Sequence, residues 1–478
     1  MGSMHIHRTY RHTFNFMRSL IWASIGFAIA CSGATFAASS NLTDKGVNSH
    51  PDVSFTLITN VGTNGMTFRG VGDAFDGVDN PTLKVPLNSV VQITLIDGDG
   101  SEHDISIPAF KVLSNHVVGK RASTVVVFRA DTVGRFDYFC TLPGHRQAGM
   151  QGILVVGNAP PAAQTPSAAS IVMNPSDVPP PIGARSPKHL TFHLEAEEVK
   201  GNLAPQTTYT YWTFDGKVPG PMLRARVGDS ITISLKNPNT SNMIHSIDLH
   251  AVTGPGGGAS VMQVPPGEER SFTFKALVPG VFVYHCATPM VAEHIANGMF
   301  GLIVIEPAGG LSKVSHEYYV MQSEIYTTQA YGFIGHQQFD VQRLLDEQPT
   351  YFVMNGAVGA LTQDYPLHAK VGESVRIFFG DAGPDFTSSL HMIGEIFKNV
   401  YAWGSFENPP LHGIQTISVP PGGAAMVEVT PEVPGKYILL DHAISRMEKG
   451  LAGYLLVTGP EDKSIFHADD NDPAVTHK

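Results

Sequence analysis

Four residue types that bind copper recur in the same order at two places in the chain. The two sets are His103, Cys140, His145, Met150 and His245, Cys286, His294, Met299. Two imidazoles, one thiolate and a weak axial thioether are the donors of a blue-copper (type 1) site. Structural zinc sites usually take more cysteines and rarely use methionine. Because the set occurs twice in matching context, the sequence predicts two type 1 coppers per chain.

A second kind of metal site is indicated by a histidine and a cysteine standing side by side, His285 and Cys286, in the apolar stretch VFVYHCATPM. Neighbouring strand residues point to opposite faces, so His285 should point outward if Cys286 points into the type 1 pocket. His250 has opposite parity to His245 and should also point away from that pocket. Together with His442, these imidazoles predict a catalytic three-histidine site with an open position.

The elements that must position these residues are strands. The 34 Pro and 48 Gly are spread widely among short runs of Val, Ile, Leu and Phe, which favours antiparallel β-domains over long helices. One pattern starts at Val133, Pro279 and Pro434: a turn glycine, an aromatic-rich strand, a loop, Gly-x-x-Gly and an apolar strand. This repeat predicts an all-β fold of three β-sandwich domains in tandem.

An upstream strand also recurs in each copy, and a histidine follows it after a polar loop. The strands are 90–96, 230–235 and 374–379, and the histidines are His103, His245 and His391. In the third copy, the Cys, His and Met positions hold Asp441, Arg446 and Leu451. We therefore expect no type 1 copper in the third domain.

The 478-residue chain divides into six predicted parts. They are a signal peptide at 1–37, a first domain at 40–156, a Pro/Ala-rich linker at 157–187, a second domain at 188–308, a third domain at 309–458 and a charged tail at 459–478. Basic residues followed by the apolar run LIWASIGFAIACSGA and a small-residue cleavage site are typical of export. The sequence thus predicts a periplasmic protein with no membrane span in its mature form.

Charge and cysteine content limit the partners. Three of the 31 basic residues and none of the 42 acidic ones lie in 1–37, which leaves a net charge of −14 after cleavage. Nucleic acid and anionic membranes are therefore poor partners, whereas a basic protein is allowed. Export permits disulfides, and a disulfide between Cys140 and Cys286 is the alternative to two copper thiolates.

Several motifs resemble those of the copper-containing nitrite reductases. They are HSIDLH, VYHCATP, NGMFGLIVIEP and SSLHMIGEIFKNVY, and the resemblance covers about 188–458. The first domain resembles the extra N-terminal cupredoxin of fused variants. The resemblance implies that all three sandwiches have the Greek-key cupredoxin-like fold.

The resemblance also implies roles for individual residues. His250 and His285 would bind a type 2 copper together with His442 from the neighbouring subunit of a homotrimer, or of a multiple of one. Asp248 and His391 would deliver protons, and Ile393 would shape the substrate pocket. The implied reaction, part of denitrification or nitrate assimilation, reduces nitrite to nitric oxide and water. A small cytochrome c or cupredoxin would donate the electron, which would cross from Cys286 to His285.

Two other functions are compatible with parts of the pattern. A laccase-like multicopper oxidase would reduce oxygen, but Ala287 follows Cys286 where such an enzyme needs a histidine. A non-enzymatic electron carrier with two type 1 coppers would leave His250, His285 and His442 without a role. Of the remaining histidines, expected at the surface or in the core, His412 alone invites closer inspection.

Overall fold

The computed structural model describes residues 51–62, 65–72, 75–142, 145–146, 148–158 and 170–467. The predicted signal peptide, part of the predicted linker and the end of the predicted tail lie outside the described residues. Within the described residues, no helix combines the length and apolar character that crossing a membrane requires.

The first pair of sheets is formed by residues 53–156. Its strands are β1 (Val53–Gly62), β2 (Gly65–Val71), β3 (Leu83–Val85), β4 (Val90–Ile96), β5 (Ser106–Ile107), β6 (Val112–Leu113), β7 (Ser123–Arg129), β8 (Gly134–Phe139) and β9 (Gln151–Val156). One sheet has the order β2-β1-β4-β7 and the other β3-β9-β8-β5-β6. We call this pair the first sandwich; its core includes Phe68, Tyr138, Cys140 and Met150.

The second sandwich begins at residue 189. Its strands are β10 (His189–Ala204), β11 (Thr207–Phe214), β12 (Leu223–Arg226), β13 (Ser230–Lys236), β14 (Asp248–Leu249), β15 (Glu269–Lys275), β16 (Gly280–His285) and β17 (Phe300–Glu306). A short helix, α1 (Val291–Ala296), lies between β16 and β17. The sheets run β15-β13-β10-β11-β19 and β12-β17-β16-β14, where β19 (Gly335–Gln337) comes from later in the chain.

The third sandwich covers 316–458. Besides the helix α2 (Val341–Leu345), it has β18 (His316–Ile325), β20 (Tyr351–Met354), β21 (Leu367–Lys370), β22 (Val375–Asp381), β23 (Ser388–Ile393), β24 (Phe397–Tyr401), β25 (Leu411–Ile414), β26 (Thr416–Val419), β27 (Gly423–Val429), β28 (Gly435–Asp441) and β29 (Gly453–Thr458). The sheets run β20-β18-β22-β27-β24-β25 and β21-β29-β28-β23-β26. The predicted all-β fold is confirmed.

The same strand pairings recur along the chain, as the repeat predicted. A parallel pair forms in each sandwich between β1 and β4, β10 and β13, and β18 and β22. An antiparallel hairpin forms from β8 and β9, β16 and β17, and β28 and β29. The loop inside each hairpin therefore emerges at the same end of its sandwich.

The register corrects one alignment made from sequence. His103 bridges Val117 and His245 bridges Val264, but the third-sandwich residue that pairs with the equivalent Val419 is Ser388. The expected match of His391 to the two ligand histidines is therefore wrong. The polar loops that precede these positions differ in length, so counting from the upstream strand to the next histidine does not give the register.

The second and third sandwiches share a core. Ile171 and Val172, from the segment predicted as linker, are buried in it together with Val281, Tyr319 and residues further along the chain. A chain of buried ion pairs also joins the two sandwiches, from Glu306 through Arg224 and Glu317 to Arg376. Buried charges of this kind are tolerated because each is paired.

The first sandwich contacts the loop that precedes β19. The guanidinium of Arg146 lies against Gly332, and an apolar cavity of about 510 Å³ is lined by Phe136 and Phe139 on one side and by Phe333 and Ile334 on the other. Arg146 follows His145 directly, so this contact lies beside the first set of candidate copper ligands.

Candidate copper centres and active site

The first donor set converges at the end of β8. The ligand atoms of His103, Cys140 and His145 all lie within 4.8 Å of one another. His145 Nδ1 is 3.1 Å from His103 Nδ1 and 3.4 Å from Cys140 Sγ. Met150 is fully buried, and its backbone NH donates to the carbonyl of His145. Cys140 lies just beyond β8 and Met150 just before β9, so the hairpin brings them together.

The second donor set has the same construction and is more deeply buried. His245, Cys286 and His294 form a second cluster within 4.8 Å, and Met299 is fully buried. Cys286 Sγ is 3.2 Å from His294 Nδ1. The ring of Trp212 packs at 4.6 Å from the ring of His294, which screens this set from solvent.

Buried nitrogen atoms in the second set lack hydrogen-bond partners. Both ring nitrogens of His245 and Nε2 of His294 are buried without a hydrogen-bond partner. Burial lowers the pKa of both histidines to about 4, so each stays neutral, the form in which imidazole binds a metal. Unpaired buried polar groups are costly, and a copper ion among these donors removes part of that cost. The donor set therefore fits copper.

Backbone NH groups approach both sulfur atoms. Asp104 N donates to Cys140 Sγ at 3.5 Å, and Ser246 N donates to Cys286 Sγ at 3.3 Å. Burial raises the pKa of Cys140 to about 12 and also raises that of Cys286. Each thiol must therefore lose its proton when a metal binds. Cys140 and Cys286 are both free, so the disulfide alternative is wrong.

The outward imidazole pair lies on the opposite side of β16 from Cys286. His250 Nε2 is 3.1 Å from His285 Nε2, and a carboxylate oxygen of Asp248 lies within 4.8 Å of both. His285 Nδ1 donates to the carbonyl of Cys286 at 3.0 Å, which leaves Nε2 free to face outward. The prediction that His250 and His285 point away from the pocket of Cys286 is thus confirmed.

The remaining candidate residues form a separate pair in the third sandwich. The rings of His391 and His442 lie 5.1 Å apart and line an open cavity of about 390 Å³ with Gln415 and Thr416. His391 Nδ1 donates to the carbonyl of Gln415 at 2.7 Å. Among the described residues of one chain, His442 does not join the cluster of His250 and His285. Ile393 is exposed on the same strand as His391.

The third sandwich has an ion pair where the others have candidate copper ligands. Asp441, at the cysteine position, pairs with Arg446 and accepts the backbone NH of Ser389 at 3.0 Å. Gln322 also donates to this carboxylate, at 3.2 Å. A carboxylate and a guanidinium thus stand at the positions that hold cysteine and histidine in the other two sandwiches.

Sequence reasoning missed three residues that support these sites. Asp99 holds His103 Nε2 at 3.0 Å, and its position four residues before the histidine was a usable signal. Trp212 offered no such signal, because it comes from a different strand. Gly422 lies against the ring of His250, where a Cβ would meet its Cε1 at 3.1 Å. The sequence PPGG predicts a turn glycine at this position, but it does not predict that His250 lies beside it.

The fold and the paired donor sets define a copper-binding oxidoreductase built from cupredoxin-like sandwiches. A family model described as multicopper oxidase matches residues 195–309. A copper-containing nitrite reductase from Neisseria meningitidis serogroup B is 43% identical over 318 residues, which cover 66% of this chain and 80% of that relative. The chain belongs to the copper-containing nitrite reductase family.

Two further comparisons agree with this assignment. A copper-containing nitrite reductase from Alcaligenes xylosoxydans xylosoxydans is 38% identical over 305 residues, which cover 60% of this chain and 91% of the relative. The solved structure of a copper nitrite reductase from Nitrosomonas europaea superposes with a TM-score of 0.51 at 33% identity, covering 57% of this chain and 95% of that one.

Proposed function

We propose that the chain reduces nitrite to nitric oxide and water, taking up one electron and two protons, at a type 2 copper bound by His250, His285 and His442. One observation carries the proposal. His285 and Cys286 are adjacent, yet the first belongs to the outward imidazole pair and the second to the buried donor set. A single peptide unit therefore links the two sets covalently.

Copper bound at these sites would supply one-electron redox chemistry and a Lewis acid for the nitrite oxygen. The protein prepares the outward pair for such an ion. His285 is oriented by the hydrogen bond from its Nδ1 to the Cys286 carbonyl, and His250 is oriented by the backbone of Gly422. Both contacts leave Nε2 as the atom that faces the site.

Asp248 and His391 are the proposed proton donors. Nitrite yields nitric oxide only if one oxygen leaves as water, which consumes two protons. Asp248 lies beside the imidazole pair, and His391 is held with its Nδ1 on the Gln415 carbonyl. That hydrogen bond leaves Nε2 of His391 as the nitrogen available to exchange a proton with substrate. Ile393 would limit the space around nitrite.

We propose that the site is completed by a second copy of the chain. One chain supplies two imidazoles at the outward pair, whereas a copper site of this kind takes three. His442 is exposed in the third sandwich beside His391, so it is available to another copy. A closed homotrimer, or a multiple of it, would give every site the same composition.

The first sandwich would hold an additional type 1 copper, which makes two type 1 ions and one type 2 ion per chain. A small electron-transfer protein, a cytochrome c or a cupredoxin, would supply the electron. The periplasm is the proposed compartment, since such donors and an exported chain meet there.

The test is copper counting combined with absorption spectra and a nitrite assay on the purified protein. We expect three coppers per chain, two of them with thiolate-to-copper absorption, and nitric oxide formation that requires nitrite and a reductant. Steady oxygen consumption without nitrite would instead favour the multicopper oxidase. Two blue coppers with no turnover of either substrate would favour the electron carrier.

A further inference from the structure

We propose that carboxylates around the first donor set, Asp99 above all, make the copper bound by His103, Cys140, His145 and Met150 the more reducing of the two type 1 coppers. The inference rests on the proposed occupancy of both sets by copper. It assigns a direction to electron flow: from the first sandwich to the second.

The clearest difference lies behind the first histidine of each set. Both carboxylate oxygens of Asp99 contact His103 Nε2, at 3.0 and 3.1 Å, and the two side chains are largely buried. The corresponding ring nitrogen of His245 has a carboxylate oxygen of Glu198 only at 4.0 Å, too far for a hydrogen bond. A carboxylate in direct contact with a ligand histidine makes that ligand a stronger electron donor to the metal.

A second carboxylate stands next to the first sulfur. Asp104, whose backbone NH reaches Cys140 Sγ, is fully buried, and its carboxylate accepts the NH of Thr141 at 2.6 Å. The equivalent residue in the second sandwich is the uncharged Ser246. Asp97, also fully buried, lies within 4.8 Å of the Asp99 and His103 ligand atoms and has one carboxylate oxygen without a partner.

The hydrogen bonds to the two cysteine sulfur atoms also differ, and they too favour the first copper as the more reducing one. Cys286 Sγ has both the NH of Ser246 at 3.3 Å and its hydroxyl at 3.7 Å, whereas Asp104 offers Cys140 only an NH at 3.5 Å. Donors to the thiolate draw charge away from copper and favour its reduced form. The second copper is therefore the one expected to hold an electron more tightly.

The two donor sets also differ in their exposure to solvent. His145 is partly exposed, but the matching His294 is fully buried under Trp212. Water stabilises the more highly charged, oxidised ion, so exposure also favours oxidation of the first copper.

Positive groups near the first set do not cancel the charge of Asp99. Arg146 follows His145, but its guanidinium is paired with Asp137 at 2.9 Å. His116 Nδ1 is paired with Glu102 at 2.7 Å, and its Nε2 also lies 3.7 Å from the Asp104 carboxylate. Among the described residues no lysine or arginine pairs with Asp99, which therefore remains the main negative charge facing the ligands.

These differences predict that the first copper has a lower reduction potential than the second. Oxidised copper carries one more positive charge than reduced copper, and neighbouring carboxylates stabilise it preferentially. Copper ions held by the two donor sets would then favour transfer of one electron from the first set to the second, with no proton or bond change. The first sandwich would thus accept electrons from the external donor protein and pass them on.

The experiment is an optical redox titration of the full-length, copper-loaded protein, followed by its thiolate-to-copper absorption. Cys140→Ser and Cys286→Ser variants assign each transition to one copper. We expect the first copper to be oxidised at the lower potential. Asp99→Asn keeps the size and an acceptor for His103 but loses the charge. It should raise the reduced-to-oxidised ratio of the first copper at a fixed potential on the order of tenfold.

Asp104→Asn provides an independent variant with the same expected direction, and Asp131→Asn is the matched control. Asp131 is exposed at the opposite end of β8 from Cys140 and should leave both transitions in place. A first copper that titrates at or above the second, or unchanged transitions in both Asp99→Asn and Asp104→Asn, would overturn the inference. Only one blue copper in the unmutated protein would instead refute the proposed copper content.

Discussion

Asp248 and His391 occupy equivalent positions in the second and third sandwiches. Asp248 pairs with His285, the residue before Cys286, and His391 pairs with Leu440, the residue before Asp441. The two proposed proton donors therefore stand at one position of the repeat, which holds Asp in the second sandwich and His in the third. By the same register Ile393 corresponds to His250.

Asp248→Asn should retain all three coppers and reduce turnover on the order of a hundredfold or more, because a positioned acid contributes about this much. Nitric oxide production by the copper-loaded variant, with its metal content, is the measurement. Asp364→Asn, a change of the same type at an exposed position of the third sandwich, is the control. Undiminished turnover in Asp248→Asn would exclude it as the proton donor.

Cys140→Ser and Cys286→Ser should each remove one of two blue absorption components, because only the thiolate gives that transition. The two losses should add in the double variant, since the donor sets lie in different sandwiches. Cys286→Ser should also abolish nitrite reduction by an external donor. Absorption that persists in the double variant would contradict the assignment of the thiolates.

Glu324 predicts a pH dependence of stability. It is buried in the third sandwich, where it accepts from Tyr326 Oη at 2.6 Å and Phe386 N at 2.8 Å. Burial raises its pKa to about 7 from an ordinary 4.5. The native state therefore holds a proton that the unfolded state releases, and the resulting stabilisation is complete below pH 4.5 and lost as the pH rises through 7.

Glu324→Gln should flatten this dependence by roughly 3 kcal/mol. Denaturant midpoints at pH 5 and pH 8 measure it, with Glu461→Gln as an exposed control. If the variant lost as much stability as the unmutated protein between these pH values, Glu324 would not be the group responsible.

Much of this arrangement could be predicted from the sequence because it follows from two regular patterns: the repeat of one hairpin along the chain and the alternation of side chains along a strand. Three of the four proposed type 1 ligands in each set stand in a repeated hairpin, and strand parity separated His285 from Cys286. The position of His391 could not be derived by counting, because loop length varies between the repeats. The contact of Gly422 with His250 and the ion pair of Asp441 with Arg446 depend on tertiary packing, which pattern alone does not reveal.

His442→Ala should lose one copper per chain and all nitric oxide production while the blue absorption stays. His412→Ala is the matched control, since His412 is exposed on β25 with its Nδ1 2.9 Å from Asn399 Oδ1 and belongs to no described metal cluster. Copper content, spectra and activity of both variants decide the matter. Full copper content in His442→Ala would remove it from the site.

Complementation between two inactive variants tests the central claim most directly. His285→Ala and His442→Ala chains, differently tagged and co-expressed, should form mixed assemblies in which some sites combine His250 and His285 of one copy with His442 of another. Random assembly restores roughly a quarter of the sites in a closed ring. Nitric oxide production and type 2 copper should return in the doubly tagged fraction. Mixed assemblies that form but stay inactive would contradict a site shared between copies.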